Sequence, residues 1–297
     1  MALFRYSKQQ AQQVAALSTP PGNEKGLQSL VEANIEAIFG VRFVSSEFKT
    51  GAKHGGRIDT LGLDQDGSPV ILEYKRSTND NIINQSLFYL DWLMDHRGDF
   101  EVAAKAALGN DIAILWSAPR LILLAGNFNK YDRYAVNRIA EQIELWTFTF
   151  YGNDLLQIEP LERDEKAAAA SKTRPRQVAK KVGPQYDLTH HLAKMSPETT
   201  KLFEELRDRI MGLGDDISER PVKQYIGYKR LKNFVEIVGQ QKKLLVFLDG
   251  LPDGRGLAED VAGVGRWATG TWRVAVSDPA DIEKVFPLIK EAYELQE

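Results

Sequence analysis

Apolar residues recur at spacings of three and four through residues 24–39, and this period predicts an amphipathic helix that ends at Gly40. Three strand-like runs follow it, at residues 41–50, 57–64 and 69–76. Asp66 and Gly67, which lie between the last two runs, form a dipeptide that is typical of hairpin turns. The pattern therefore predicts a helix followed by three strands, of which the last two form a hairpin.

The rest of the N-terminal half alternates between helical and strand-like patterns. The predicted elements are a helix at 80–93, a helix at 101–108, a strand at 120–126, a helix at 131–143 and a strand at 145–151. Alternation of this kind indicates an α/β domain in which a mixed sheet is flanked by helices.

The length of 297 residues predicts two domains. Apolar periodicity is lost near residues 162–195, and seven basic residues face two acidic ones between positions 163 and 181. We interpret 1–161 as one domain, 162–195 as a basic flexible linker and 196–297 as a second domain. The linker is either a solvated tether or a tether that also touches phosphates nonspecifically.

The C-terminal domain is predicted to be small and of the α+β class. Ser196 is a suitable N-cap for a helix at 197–211, strands are predicted at 232–238, 243–249 and 271–276, and a helix at 278–293 closes the chain. Residues 225–234 interleave aromatic and basic side chains, which is typical either of contact with nucleic acid or of an edge strand with a basic outer face.

Composition narrows the classes of function. The chain has no cysteine, which excludes disulfides, thiolate catalysis and thiolate-ligated metals. No run of 18 apolar residues is present and the first 13 residues are polar and mixed, so we expect a soluble cytoplasmic protein without a membrane span. The net charge is −3, so a nucleic-acid ligand requires a local basic patch.

Three charged residues interrupt the predicted hairpin. Glu73 and Lys75 are two positions apart in an apolar strand and therefore share a face, and Asp59 interrupts the preceding strand. If the hairpin aligns its two acids, carboxylates and an ammonium group converge, an arrangement that suits Mg²⁺ or Mn²⁺ and hydrolysis of phosphate esters. The alternative is an ordinary buried salt bridge between Lys75 and one carboxylate.

These residues resemble a known family. Asp59, thirteen intervening residues and then Glu73-Tyr74-Lys75 are similar to the motif of the PD-(D/E)XK nuclease superfamily, and the resemblance is greatest to its RecB-like and NucS-like branch. The resemblance covers roughly residues 20–155 and implies that the α/β domain has a restriction-endonuclease-like fold, with a mixed sheet flanked by helices. Ile58 stands before the first acid, where the superfamily pattern has proline. The C-terminal half resembles a bacterial domain of unknown function that is found attached to such nuclease-like regions.

The resemblance implies roles for the hairpin residues. Asp59 and Glu73 would ligate Mg²⁺ or Mn²⁺, the main-chain carbonyl of Tyr74 would add a ligand, and Lys75 would position the attacking water. Arg57 and Arg76 flank the acids, and each is either a phosphate contact or a solvated side chain. His54, in the preceding glycine-rich loop, either contacts substrate or is exposed without a role.

The resemblance also assigns roles to helical residues. Glu32 would be the catalytic acid of the first helix, with Glu36 one turn further along as the alternative. Gln85 and Tyr89 match a Gln-x-x-x-Tyr arrangement on the following helix, and their spacing places them on one face. Gln85 would support the site or contact the substrate backbone, whereas Tyr89 has packing in the core as an alternative.

The sequence therefore predicts a Mg²⁺- or Mn²⁺-dependent nuclease that hydrolyses phosphodiester bonds in DNA, with the C-terminal domain recognising substrate or a partner. A homodimer is expected if both strands are cut, because such enzymes pair two sites by symmetry. Two other classes stay open. One is a nucleic-acid-binding or regulatory module that keeps the nuclease scaffold without hydrolysis, and the other is a structural interaction protein.

Overall fold

The computed structural model describes most of the chain. The described residues are 3–7, 10–17, 23–51, 55–75, 82–139, 142–152, 154–161, 186–214, 216–230, 232–262, 268 and 270–296. His54, Arg76 and positions 162–185 of the predicted linker lie outside them. The chain divides into two compact units, Met1–Gly183 and Pro184–Glu297.

The first unit alternates between strands and helices as its sequence predicts. Its elements, in chain order, are β1 Leu3–Ser7, β2 Gln10–Val14, α1 Glu24–Ala33, α2 Ile35–Phe39, β3 Val41–Lys49, β4 Arg57–Asp64, β5 Pro69–Lys75, α3 Ile82–Asp95, α4 Arg97–Leu108, β6 Arg120–Ala125, α5 Lys130–Val136, β7 Gln142–Tyr151 and β8 Leu155–Pro160. Strands β1 and β2 form a separate hairpin.

Within the described residues, the main sheet of this unit has six strands in the order β3-β4-β5-β6-β7-β8. The β5–β6 and β6–β7 pairs are parallel and the other three pairs are antiparallel, so the sheet is mixed. Apolar side chains of α3 and α4 pack on one face, together with Leu61, Ile71 and Leu123. Phe39 of α2 packs on the other, where its ring meets Trp146 edge to face. The predicted mixed sheet flanked by helices is confirmed.

The β4–β5 hairpin determines where the site lies. Its ladder runs from Leu63 opposite Pro69 to Thr60 opposite Leu72 and stops there. On its other edge β5 pairs in parallel with β6 from Val70 to Lys75. Strands β4 and β5 therefore no longer pair at the level of Asp59 and Glu73, and the backbone N–H and C=O groups that face each other there need other partners.

At the opposite end of the sheet, a fully buried arginine begins β6. Arg120 donates through Nε to Glu144 Oε1 at 2.7 Å and through Nη2 to Glu144 Oε2 at 3.0 Å. Its Nη1 lies 3.4 Å from Asp64 Oδ2. Burial by itself lowers the pKa of Arg120, but the charge of Glu144, the hydrogen bonds to Glu144 and the charge of Asp64 together offset this and hold the pKa above its usual value. The cluster joins the ends of three strands through a charged side chain.

The second unit contains an antiparallel sheet of its own, packed against helices. Its elements are α6 Leu188–Leu192, α7 Pro197–Met211, β9 Ser218–Pro221, β10 Ile226–Lys229, β11 Asn233–Gly239, β12 Leu244–Leu248, β13 Glu259–Asp260, β14 Trp272–Val276 and α8 Pro279–Glu294. In the described part the strands follow the order β13-β14-β12-β11-β10-β9. Ser196 caps α7 as predicted, its hydroxyl accepting from the Thr199 amide at 3.2 Å. Residues 226–229 form a strand inside the sheet rather than an edge strand.

Several predicted segments differ from the structure, and the first is the helix predicted at 24–39, which is divided at Asn34 into α1 and α2. The helix predicted at 131–143 ends at Val136, and its last residues belong to β7, because Ile143 and Leu145 face the core as strand residues. The linker predicted to end at 195 contains α6, which Asp187 caps, and Met195 is buried in the core of the second unit. Its described residues are therefore folded.

No described helix is long and apolar enough to cross a membrane.

Candidate active site

Asp59 and Glu73 are held side by side where the hairpin opens. The Asp59 amide donates to Glu73 Oε1 at 3.0 Å, and the Tyr74 amide donates to Asp59 Oδ2 at 3.1 Å. Each carboxylate thus accepts a main-chain N–H of the opposite strand, in place of the ladder bonds that end at Thr60. Both acids of the predicted pair are brought together.

Burial dominates the electrostatics of this pair. Desolvation raises the pKa of Glu73 to about 9, and the charge of Asp59 acts in the same direction. Desolvation also raises the pKa of Asp59, against the hydrogen bond from Tyr74. Two carboxylates at this distance in an apolar setting are mutually unfavourable when both are ionised. A cation placed between them would remove that penalty.

One oxygen of Glu73 has no partner. Glu73 is completely buried, and its Oε2 is among the few buried side-chain atoms without a hydrogen bond in the described chain. A buried polar atom without a partner is costly unless an ion or water satisfies it. Glu73 Oε2 and Asp59 therefore fit the donor set of a hard divalent cation.

The protein offers few ligands beyond these two. Among the described residues, no group of three or more His, Cys, Asp or Glu side chains is arranged to hold a metal. Mg²⁺ usually keeps several waters and is bound by one or two carboxylates together with substrate phosphates. In an extended strand the N–H and C=O of a residue point to the same side, so the Tyr74 carbonyl faces the opening into which its amide donates.

Lys75 ends β5 beside this pair. Its Nζ lies 3.9 Å from Oε1 of Glu24, and only 19% of its side chain is exposed. The charge of Lys75 lowers the pKa of both Asp59 and Glu73, although burial outweighs it. Lys75 is therefore a cation that is close to the pair and already lies near a third acid.

The predicted helical acid lies elsewhere. Glu32 Oε1 accepts from the Thr60 hydroxyl at 2.6 Å and from Gln28 Nε2 at 2.9 Å. Thr60 and Asp59 are neighbours on β4, so their side chains point to opposite faces of the sheet. Glu36, the alternative, is exposed on α2. The structure does not bring Glu32 or Glu36 to the carboxyl pair.

Glu24 is the acid of α1 that lies near the pair. It contacts Lys75, and its charge contributes to raising the pKa of Asp59 and of Glu73. The sequence analysis missed it because it belongs to the first turn of α1, where an acid is also typical of a helix start. Gln28 was missed as well: it is buried and donates through Nε2 to the Asp59 carbonyl at 2.8 Å.

Gln85 and Tyr89 support the start of β4. The Tyr89 hydroxyl accepts from the Arg57 amide at 3.2 Å and from Gln85 Nε2 at 3.0 Å. Tyr89 is buried in the core, so core packing and support of the strand are combined in one side chain. Neither residue contacts the carboxylates directly in the described structure; they fix the strand two residues before Asp59.

Replacement of Tyr89 by phenylalanine is expected to lower the free energy of unfolding by about 1–2 kcal/mol, because two donors lose their acceptor. Urea denaturation measures the change. Tyr131→Phe is the matched control, since its side chain is 71% exposed and should be neutral. Equal stability of the two variants would show that the Tyr89 hydroxyl does not hold β4.

A second charged group lies on the neighbouring strand. Glu47 of β3 accepts from Lys25 Nζ at 2.8 Å and forms an ion pair with Arg57. The hydrogen bond from Lys25 holds the pKa of Glu47 below its usual range. We call Glu47, Lys25 and Arg57 the Glu47 ion cluster.

Comparisons with known proteins cover different shares of the chain. An uncharacterized protein of Haemophilus influenzae is 30% identical over 284 residues, which cover 91% of this chain and 92% of that one. Residues 189–296 match a family described as a domain of unknown function, DUF5655. The predicted resemblance of the C-terminal half to such a domain is confirmed.

Two solved structures are similar to part of the chain. One is described as an EndoMS–dsDNA complex, with 21% identity, a TM-score of 0.32 and coverage of 48% of each chain. The other is a repair endonuclease from Pyrococcus abyssi, with 22% identity, a TM-score of 0.29 and coverage of 43% of this chain and 48% of that one. The chain thus spans about half the length of each of these proteins.

Proposed function

We propose that this chain, which belongs to the same family as the Haemophilus influenzae protein, is a nuclease that depends on Mg²⁺ or Mn²⁺ and hydrolyses phosphodiester bonds in DNA. The observation that carries the proposal is the pair Asp59 and Glu73, buried together with one carboxylate oxygen unpartnered and with Lys75 beside them. An ordinary salt bridge would place Lys75 against that oxygen, whereas in the described part of the chain the acid within ion-pair distance of Lys75 is Glu24, at 3.9 Å.

The small number of protein ligands favours a metal ion whose coordination is completed by the substrate. Asp59 and Glu73 would hold the ion, and the Tyr74 carbonyl faces the same opening. A bound Mg²⁺ or Mn²⁺ acidifies water and offsets negative charge on a phosphate. Because the described residues bring two carboxylates to this site, waters and phosphate oxygens of DNA would complete the coordination, so metal and DNA should bind with positive cooperativity.

Lys75 would orient the attacking water and stabilise charge on the phosphate. The Lys75 ammonium has three N–H donors, and it stays near the pair because Lys75 is the last residue of β5, two positions after Glu73. Glu24, whose Oε1 lies 3.9 Å from Lys75 Nζ, would hold Lys75 before substrate arrives and would take the helical role predicted for Glu32. Gln85 acts through Tyr89 by fixing β4 and is a positioning residue in this proposal.

The first test is cleavage of end-labelled single- and double-stranded DNA by the full chain. Reactions contain Mg²⁺, Mn²⁺ or EDTA, and the Asp59→Asn variant is run beside the wild type. We expect cutting that requires metal and is lost in the variant. DNA binding without cutting in every metal would identify a non-catalytic module on this scaffold, and indifference to both DNA and metal would leave a structural interaction protein.

A further inference from the structure

The Glu47 ion cluster joins three elements at the rim of the candidate site. Lys25 comes from the first turn of α1, Glu47 from β3 and Arg57 from the first residue of β4. Lys25 follows Glu24, the neighbour of Lys75, and Arg57 lies two positions before Asp59. The two cations are therefore within a few residues of the groups that the proposed reaction uses.

Both cations are accessible, and one carboxylate binds both of them. The side chains of Lys25 and Arg57 are 52% and 62% exposed, whereas that of Glu47 is 26% exposed. Lys25 contacts Oε1 of Glu47 and Arg57 contacts Oε2. The two cations thus bind different oxygens of the same carboxylate. They would bind the two free oxygens of a phosphodiester in the same way.

The backbone at Glu47 is unusual. Its φ is 56°, a left-handed conformation that is uncommon for a residue with a side chain, and it occurs within a strand. Register partners are Ser46 with Thr60 and Phe48 with Ile58, so Glu47 is set across from Asp59. The local distortion delivers a negative charge to the rim, where that charge acts with burial to raise the pKa of Asp59.

We propose that Lys25 and Arg57 form a binding subsite for a backbone phosphate of DNA, and that the Glu47 carboxylate occupies this subsite until DNA displaces it. The inference rests on the proposed function and deepens it, because it names the groups that hold the strand beside the cutting site. Nonspecific anions must compete with an internal carboxylate, so a polyanion that also binds elsewhere along the chain gains an advantage over a single phosphate.

Binding in the absence of cutting tests the subsite. The affinity of the full chain for a short fluorescein-labelled DNA duplex is measured in EDTA at several salt concentrations. Glu47→Gln is expected to tighten binding by roughly three- to tenfold, the free energy of one or two exposed ion pairs. Lys25→Gln and Arg57→Gln should each weaken binding and make the dependence of log K on log salt shallower by about 0.9.

Two comparisons separate displacement from a general change in charge. Asp111→Asn is the control, because it removes one negative charge at an exposed position far from the cluster. Asp111 lies in a loop whose Leu115 donates to Gly67 in the β4–β5 turn, at the other end of the sheet. In a background that lacks both cations, the gain from Glu47→Gln should fall to that of Asp111→Asn. A gain that persists there, or a Glu47→Gln variant that matches Asp111→Asn, would overturn the subsite.

The remaining outcomes are distinct. If the wild type binds and cuts DNA but Glu47→Gln gives one of the two results that overturn the subsite, only the subsite is wrong. If neither the wild type nor any variant binds DNA in EDTA, the subsite is wrong, and if the wild type also neither binds nor cuts DNA with Mg²⁺ or Mn²⁺, the proposed function fails with it. If inorganic phosphate stabilises Glu47→Gln against thermal unfolding as much as the duplex does, the cations bind a free anion and the assignment to DNA is wrong.

Discussion

Glu73→Gln is expected to abolish metal-dependent cutting, with a rate at least roughly a thousandfold below that of the wild type, while its metal-free form resists heat better at alkaline pH. Glutamine keeps the oxygen that accepts from the Asp59 amide but cannot carry the charge that a divalent cation needs. The same substitution therefore removes both the proposed metal site and the ionisation that opposes folding.

The pH dependence follows from the direction of the shift. Glu73 ionises near pH 4.5 in the unfolded chain, and burial raises its pKa to about 9 in the folded one. Between these values the folded state binds a proton that the unfolded state has released, so wild-type stability falls as pH rises from about 4.5 to 9. Glutamine has no such loss, so the melting temperatures of variant and wild type should separate progressively between pH 5 and pH 9.

Metal should reverse the difference. Divalent cation binding requires ionised Glu73, so it releases protons at neutral pH and strengthens as pH rises. Thermal melts of both proteins with EDTA or Mn²⁺ measure this, and Asp111→Asn serves as the control for the loss of one charge. A gap in melting temperature that does not change with pH would show that Glu73 is not the titrating group. Equal stabilisation of variant and wild type by Mn²⁺ would show that Glu73 is not a metal ligand.

Arg120→Ala is expected to lower the free energy of unfolding of the first unit by about 3–5 kcal/mol, the range for breaking a buried ion pair by removing one partner. The substitution leaves Asp64 and Glu144 facing a cavity without their shared cation. It also disturbs the start of β6, the strand that pairs with both β5 and β7.

Urea denaturation followed by tryptophan fluorescence measures this loss, because the Trp146 indole donates to Glu144 Oε2 at 3.3 Å and reports on the cluster. Arg120→Lys should recover only part of the stability, since an ammonium group cannot reproduce the two parallel bonds to Glu144. Arg133→Ala, at an exposed position of α5, is the control. A wild-type midpoint for Arg120→Ala would mean that packing alone holds these strands.

Local patterns predicted β3, β4, β5 and β6 well because the signals there were local, whereas β1, β2 and β8 were not predicted. The Asp66–Gly67 turn between two apolar runs defined β4 and β5, and β4 has the bounds expected from the sequence. The same hairpin placed Asp59 beside Glu73 without any knowledge of the rest of the fold. The end of the helix at Val136 was missed because apolar residues continue into β7, and their period does not distinguish buried helix from buried strand over such a short run.

The choice between acids of α1 required tertiary structure. Glu24, Gln28 and Glu32 are spaced by four and lie on one helical face, so the sequence alone cannot tell which turn of α1 reaches the open end of the hairpin. The angle between α1 and the sheet decides it. Glu47 was beyond prediction for a different reason, since nothing in the residues around it requires a left-handed backbone.

The hairpin origin of the acid pair also has a kinetic consequence. Asp59 and Glu73 are 14 positions apart, so the loop that unites them closes early, whereas the parallel β5–β6 pairing must wait for a much longer segment to return. Their repulsion becomes strong only when α3 packs over the sheet and expels water. The acid pair should therefore increase the unfolding rate more than it decreases the folding rate. Its cost is a shorter half-life of the native state, with little change in the rate of folding.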